Sequence, residues 1–262
     1  MNELVIDGWA LIGRHLRHIA RVPQKLLAVT IMPVVFVLAF GYVLGSAMHV
    51  PGVEYREYFM AGVFAQVMVA GITTTGVGVC EDLGNGLMDR FRSLPMSRSA
   101  VLIGRTVADL LLSAIACLVM SVVGYAIGWR IHGGFWSALG GFGLMLLMGY
   151  VAIWGGALLG LALRSAEAVS SLGFVIVMPF MFLSSAFVPL NGLPGWLQAV
   201  AHWNPMSAVT DACRRLWGNS TTATGDSFPS QHPIAVALVV LVAMFVVIVP
   251  MAVRSFGKAS VR

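Results

Sequence analysis

The sequence predicts an all-α membrane protein. Six transmembrane helices follow an N-terminal interfacial helix, with an amphipathic helix in one cytoplasmic connection and short external helices before the last span. Three observations carry this. Apolar residues make up 58% of the 262 and charged residues only 10%, against about 45–50% and about 25% in a soluble chain, and the mean hydropathy is +0.88. Such a chain cannot cover itself with polar surface. The apolar residues fall into runs of membrane-spanning length, and the basic residues sit between those runs. Disordered, collagenous and disulfide-framed classes are excluded on the same composition.

The first 25 residues are amphipathic. Val5, Trp9, Ile12, Leu16 and Ile19 recur at helical spacing, while Asp7, Arg14, Arg17 and Arg21 fall on the opposite side. A basic face opposite an apolar face with a Trp describes a helix lying in the membrane interface. Glu3 and Asp7 stand where a signal peptide is basic, so no cleavable leader is expected.

Six runs follow, at about Leu26 to Ala47, Tyr58 to Val79, Val101 to Ile127, Phe135 to Leu163, Ala168 to Leu190 and Ile234 to Val253. Pro33 and Pro179 lie inside runs and predict kinks. The pairs Gly41/Gly45, Gly124/Gly128 and Gly156/Gly160 have the spacing that lets helices approach closely. With the N-terminus inside, 12 of the 16 basic residues lie on inside segments, and only Arg56, Arg130, Arg214 and Arg215 lie outside. Both termini are therefore expected in the cytoplasm. The net charge of +5 reflects this placement and not a nucleic-acid partner.

Several chemistries find no support. Gly257-Lys258-Ala259-Ser260 lacks the glycine-rich turn of a phosphate-binding loop, and no metal-ligand spacing or nucleophile elbow occurs. No catalytic residue and no metal ligand is assigned. Cys80, Cys117 and Cys213 suggest neither a disulfide frame nor a metal site. Asn219-Ser220-Thr221 matches a glycosylation sequon. Asp109, four residues after Arg105, is either a proton-coupling carboxylate of an ion-driven secondary transporter or one half of a border ion pair, and the ion pair is favoured.

Two connections are informative. In the cytoplasmic one, 80–100, Leu83, Leu87, Phe91 and Leu94 share a helical face, with Glu81 and Asp82 early, Arg90 and Arg92 late, and Pro95 as a stop. In the external one, 191–233, Pro194 and Pro205 can each open a short helix, with Asn204 as the cap before Pro205 and with Trp196, Trp203 and Trp217 at interfacial level. Met206, Val209, Cys213 and Leu216 then recur at helical spacing.

The run through Glu81, Gly86, Arg90, Leu94, Pro95, Ser97 and Arg98, together with Pro189-Leu190-Asn191, Pro194-Gly195-Trp196 and Asn204-Pro205, resembles the membrane subunits of ABC type-2 exporters. The resemblance is greatest to the daunorubicin-resistance permeases of actinobacteria and covers essentially the whole chain as one domain, 1–262. It implies a bacterial plasma-membrane permease that exports a hydrophobic or amphipathic drug, antibiotic or lipid. It implies two cytoplasmic ABC ATPase subunits that hold ATP and Mg, a second copy or a paralogous permease, and no cofactor on this chain. It also implies that Glu81 to Pro95 is a coupling helix contacting the ATPase. Leu87, Phe91 and Leu94 would dock, Glu81, Arg90 and Arg92 would make polar contacts, and Leu83, Gly86 and Pro95 would belong to the same coupling element.

Overall fold

The computed structural model describes residues 31, 34, 35, 37–39, 41, 50, 52–84, 98–220 and 227–259, and for 98–101, 191, 258 and 259 the backbone alone. The expected interfacial helix, with Trp9, Arg14, Arg17 and Arg21, lies outside these residues, as do Pro33 and 85–97. Among the described residues the secondary structure is helical, apart from one isolated bridge between Val50 and Val53.

The helices are α1 (Tyr55–Val69), α2 (Gly71–Gly84), α3 (Arg98–Ala126), α4 (Phe135–Leu163), α5 (Ala166–Phe182), α6 (Gly195–His202), α7 (Pro205–Trp217), the single turn α8 (Phe228–Gln231) and α9 (Pro233–Ala259). Among the described residues four stretches are long and apolar enough to cross a membrane: Tyr55–Gly84, Leu102–Ala126, Phe135–Leu163 and Pro233–Gly257. The shorter apolar α5 joins them. The chain is a multi-pass membrane protein.

Local chemistry sets the boundaries. α1 and α2 form one span interrupted at Ala70. There the Thr73 and Thr74 amides both donate to the Ala70 carbonyl at 3.2 Å, and the Thr74 hydroxyl competes for the same oxygen. Such back-bonding bends a helix. Arg164, left-handed at φ 53°, ends α4, and Ser165 caps α5 by accepting from the Ala168 amide. Glu167, on the first turn of α5 and not in a loop, complements the helix dipole. Gly218, at φ 78°, ends α7.

Lipid supplies little hydrophobic drive between helices, so close backbone contact matters more. α2 and α4 meet along such a seam. A side chain on Gly156 would strike the Ile72 carbonyl, and one on Gly160 would lie 2.5 Å from the Gly76 oxygen. The Gly156/Gly160 pair therefore does what its spacing predicts. Gly128 instead sits in a turn at φ 107°.

Two apolar clusters hold the bundle. The larger joins α1, α4, α7 and α9 around Phe59, Phe64, Met145, Val209 and Trp217. Trp217 packs against Phe64, Trp129 and Phe142, each with ring centres 5.3 Å away. The smaller joins Val79, Leu102, Trp154, Leu161, Ala252 and Phe256 at the opposite end.

The fifth apolar run is corrected. Expected to reach Leu190, the helix stops at Phe182, three residues beyond Pro179. Its 17 residues span about 26 Å, short of a hydrocarbon core about 30 Å thick. An unwound segment, 183–189, continues from it. In α9, Pro250 lies within the helix, a feature the sequence reading did not single out.

Candidate functional site: two polar clusters at opposite ends of the bundle

Unwound backbone at membrane depth must have its polar groups satisfied by protein. The segment 183–189 meets this demand through side chains from two helices. The Tyr58 hydroxyl donates to the Ser185 carbonyl at 2.7 Å and the Tyr55 hydroxyl to the Phe187 carbonyl at 3.1 Å. Arg214 on α7, 2% exposed, donates to the Ser185 and Ala186 carbonyls at 2.9 and 2.8 Å, and to the Tyr58 carbonyl at 2.9 Å. Its charge faces Asp211 at 2.8 Å, and Asp211 also accepts from the Ser185 hydroxyl. A side chain on Gly62 would strike the Ala186 carbonyl, so α1 presses directly on this turn.

Asn204 serves two helix ends at once. Its Oδ1 accepts from the Met206 amide at 2.9 Å, which caps α7, with Pro205 at the first helical position as expected. Its Nδ2 donates to the Phe180 and Leu183 carbonyls at 2.8 and 2.6 Å, where α5 unravels. Pro194 also opens a helix, but as the cap and not the first residue. Trp196 and Trp203 are exposed, at 72% and 62%, whereas Trp217 is fully buried. Trp217 is therefore part of the apolar core and not the interfacial residue expected.

The four arginines counted as external charges each donate to a main-chain carbonyl: Arg56 to Ile127, Arg130 to Tyr125, Arg214 as above and Arg215 to Gln231. The sequon reading is overturned. Asn219 is fully buried, its Nδ2 donates to the Arg130 carbonyl, and its Oδ1 lies 3.1 Å from His132 Nδ1. Residues at Met206, Val209 and Cys213 are buried as expected, and burial pushes the Cys213 thiol up.

The opposite end holds a smaller polar group. Asp82 on the last turn of α2 pairs with Arg105 of α3. Arg105 Nε lies 3.7 Å from Asp109 Oδ2, and Asp109 accepts from the Thr75 hydroxyl at 2.8 Å. Asp109 is thus the border ion pair that its spacing suggested, extended by a second carboxylate and a hydroxyl that sequence reasoning did not connect. Of the expected coupling residues, Glu81 is exposed and Leu83 is half-buried against the smaller apolar cluster. Gly86, Leu87, Arg90, Phe91, Arg92, Leu94 and Pro95 lie outside the described residues. The connection that carries them leaves α2 just beyond Asp82 and re-enters as α3.

Comparison with known proteins agrees with this architecture. Residues 7–217 match the ABC-2 type transporter family. The chain is 33% identical to the daunorubicin resistance ABC transporter permease DrrB1 of Streptomyces coeruleorubidus, over 74% of this chain and 69% of that protein. It is 27% identical to the probable doxorubicin resistance permease DrrC of Mycobacterium tuberculosis, over 77% of this chain and 73% of that one. With the probable multidrug permease YbhR of Escherichia coli K12 the identity is 23%, over 64% and 45%.

The chain belongs to the ABC-2 type transporter family. It is a transmembrane permease subunit of an ABC exporter, it carries no ATPase site itself, and ATP binding lies in separate ATPase subunits.

Proposed function

We propose that this permease exports an amphipathic drug of the anthracycline type, or a lipid of similar character, across a bacterial plasma membrane. The observation that carries the cargo class is the 33% identity to a daunorubicin resistance permease. In this reading 1–262 form one transmembrane domain of six spans with both termini in the cytoplasm, and a second copy or a paralogous permease completes the path. The Arg105 end is then cytoplasmic and the Arg214 end external. Two partner ATPases bind ATP and Mg, and the interfacial helix carrying Trp9, Arg14, Arg17 and Arg21 lies on the inner leaflet.

Glu81 to Pro95 couple the ATPases to the spans, with Leu87, Phe91 and Leu94 as the docking face, Glu81, Arg90 and Arg92 as polar contacts, and Leu83, Gly86 and Pro95 as further members of the element. Leu83 packs on the smaller apolar cluster, which ties the entry of the element to α4 and α9 and leaves the docking face to the three apolar residues beyond it. At the outer end Pro194, Trp196, Asn204 and Pro205 order the segment where cargo leaves.

The test is purification of the tagged chain from its native host in mild detergent, followed by doxorubicin uptake into inverted vesicles. A stoichiometric ATPase and ATP-dependent uptake are expected, and Phe91→Asp should abolish uptake while the protein stays in the membrane. Uptake that needs only a proton gradient, or full uptake by Phe91→Asp, would overturn the reading.

A further inference from the structure

We infer that Arg105 is a positioning residue for energy coupling: it fastens the start of α3 to α2, so that the two ends of the 85–97 connection move as one body. The inference rests on the ABC-exporter reading above and adds a residue to it. α2 and α4 are already a unit, because Gly156 and Gly160 put the two backbones in contact. α3 is tied to α2 by Arg105, whose guanidinium pairs with Asp82 from the last turn of α2 and with Asp109 from the next turn of α3. Thr75 of α2 closes the ring by donating to Asp109 at 2.8 Å.

The sequence makes room for this tie. A side chain on Gly78 would collide with the Arg105 guanidinium, so α2 carries a glycine where the arginine crosses it. The Arg105 side chain is 16% exposed and that of Asp109 19%. Both groups lie low in the bundle, where a charge costs free energy unless paired. Their position beside the connection, and not in the middle of a span, suits a mechanical link better than a cargo site. A push on 85–97 that reached α3 alone would tilt one helix, whereas with Arg105 in place it displaces α2, α3 and α4 together.

The experiment compares the ATPase rate of the purified permease–ATPase complex in nanodiscs for wild type, Arg105→Ala, Arg105→Lys, Gly78→Ala, and the double variant Asp82→Glu with Arg105→Lys, in which the longer carboxylate meets the shorter reach of the lysine. Arg254→Ala, which removes an exposed charge at the same end, is the control. Arg105→Ala should keep its bound ATPase and lose about 2- to 30-fold in rate, the range expected when one link in a coupling path is cut. Gly78→Ala should shift the rate in the same direction without removing any charge, and alanine is the better helix former there. The double variant and Arg105→Lys should recover part of the loss, and Arg254→Ala should match wild type.

Wild-type rates in both Arg105→Ala and Gly78→Ala would overturn the inference. So would a loss in Arg105→Ala that neither the lysine nor the double variant repairs, since that is damage to the fold and not to a link. Wild-type complex that purifies without any ATPase would bring down the exporter reading, and this inference with it.

Discussion

The Arg214 guanidinium stacks over the Tyr58 ring at 3.6 Å while its Nε donates to the carbonyl of that same tyrosine at 2.9 Å. One side chain of α7 therefore grips both the face and the backbone of α1. Its other nitrogens hold the unwound turn after α5. Removing it takes a donor from the Tyr58, Ser185 and Ala186 carbonyls, of which Ser185 keeps the Tyr58 hydroxyl, and deprives Asp211 of its ion-pair partner.

Arg214→Ala is expected to cost about 3 kcal/mol or more of stability. Arg214→Lys should also be damaging, because an ammonium cannot reproduce a planar fork with several fixed donors. Thermal unfolding of the detergent-solubilised protein, followed by size exclusion, checks both. A melting temperature unchanged in Arg214→Ala would show that the network is incidental.

Asn204 offers a sharper discrimination. If it only capped α7, aspartate would replace it at little cost, since the two cap about equally well. Here the amide nitrogen also serves the frayed end of α5. Asn204→Asp should therefore be destabilised by about 1–3 kcal/mol, no less than Asn204→Ala. An aspartate variant as stable as wild type would reduce Asn204 to a simple cap.

Neighbouring glycines on α4 should behave oppositely. Gly156→Ala drives a methyl group into the Ile72 backbone, whereas Gly155→Ala meets open space. The first should lose about 1–3 kcal/mol to overpacking, and the second should gain up to about 1 kcal/mol from helix propensity. Unfolding in mixed detergent–SDS micelles measures the difference. Equal stability of the two variants would argue against the α2–α4 seam.

Cys213 is fully buried, with its Sγ 3.4 Å from the Gly141 carbonyl. Burial raises its thiol pKa above the ordinary value, so the reactive thiolate stays scarce as pH rises through the range where exposed thiols ionise. Maleimide should leave Cys213 unmodified in the native protein at pH 7 and still unmodified at pH 9, and modify it after denaturation. Peptide mapping by mass spectrometry reads this directly, and rapid native labelling at pH 9 would contradict the packing around α7.

Much of this organisation is legible in the chain because it is written locally. Asn204 next to Pro205 announces a capped helix within two residues, and the long apolar runs announce spans by length alone. The end of α5 is not legible. Leu183 to Leu190 is mostly apolar apart from Ser184 and Ser185, and hydropathy does not register that its carbonyls will be met by Tyr55, Tyr58, Asn204 and Arg214 instead of by a helix. Arg214 and Asn219 look like surface polar residues for the same reason. Their partners, Tyr58 and Arg130, are 156 and 89 positions away. At the opposite end of the bundle Arg105 and Asp109 announce their pair by spacing, whereas Asp82 and Thr75 join only once α2 crosses α3.

That long reach from Arg214 to Tyr58 sets an order of events during synthesis. At about 5–20 residues per second, roughly 8–30 s separate the emergence of the tyrosine from that of the arginine that completes its surroundings. For that interval Tyr58 waits without Arg214, and for its last part the turn after α5, once made, lacks the Arg214 donors for its carbonyls. The Arg214 end of the bundle is therefore finished last. A ribosome stalled before residue 214 should leave an inserted but unlocked intermediate, open to the quality-control protease that patrols the membrane.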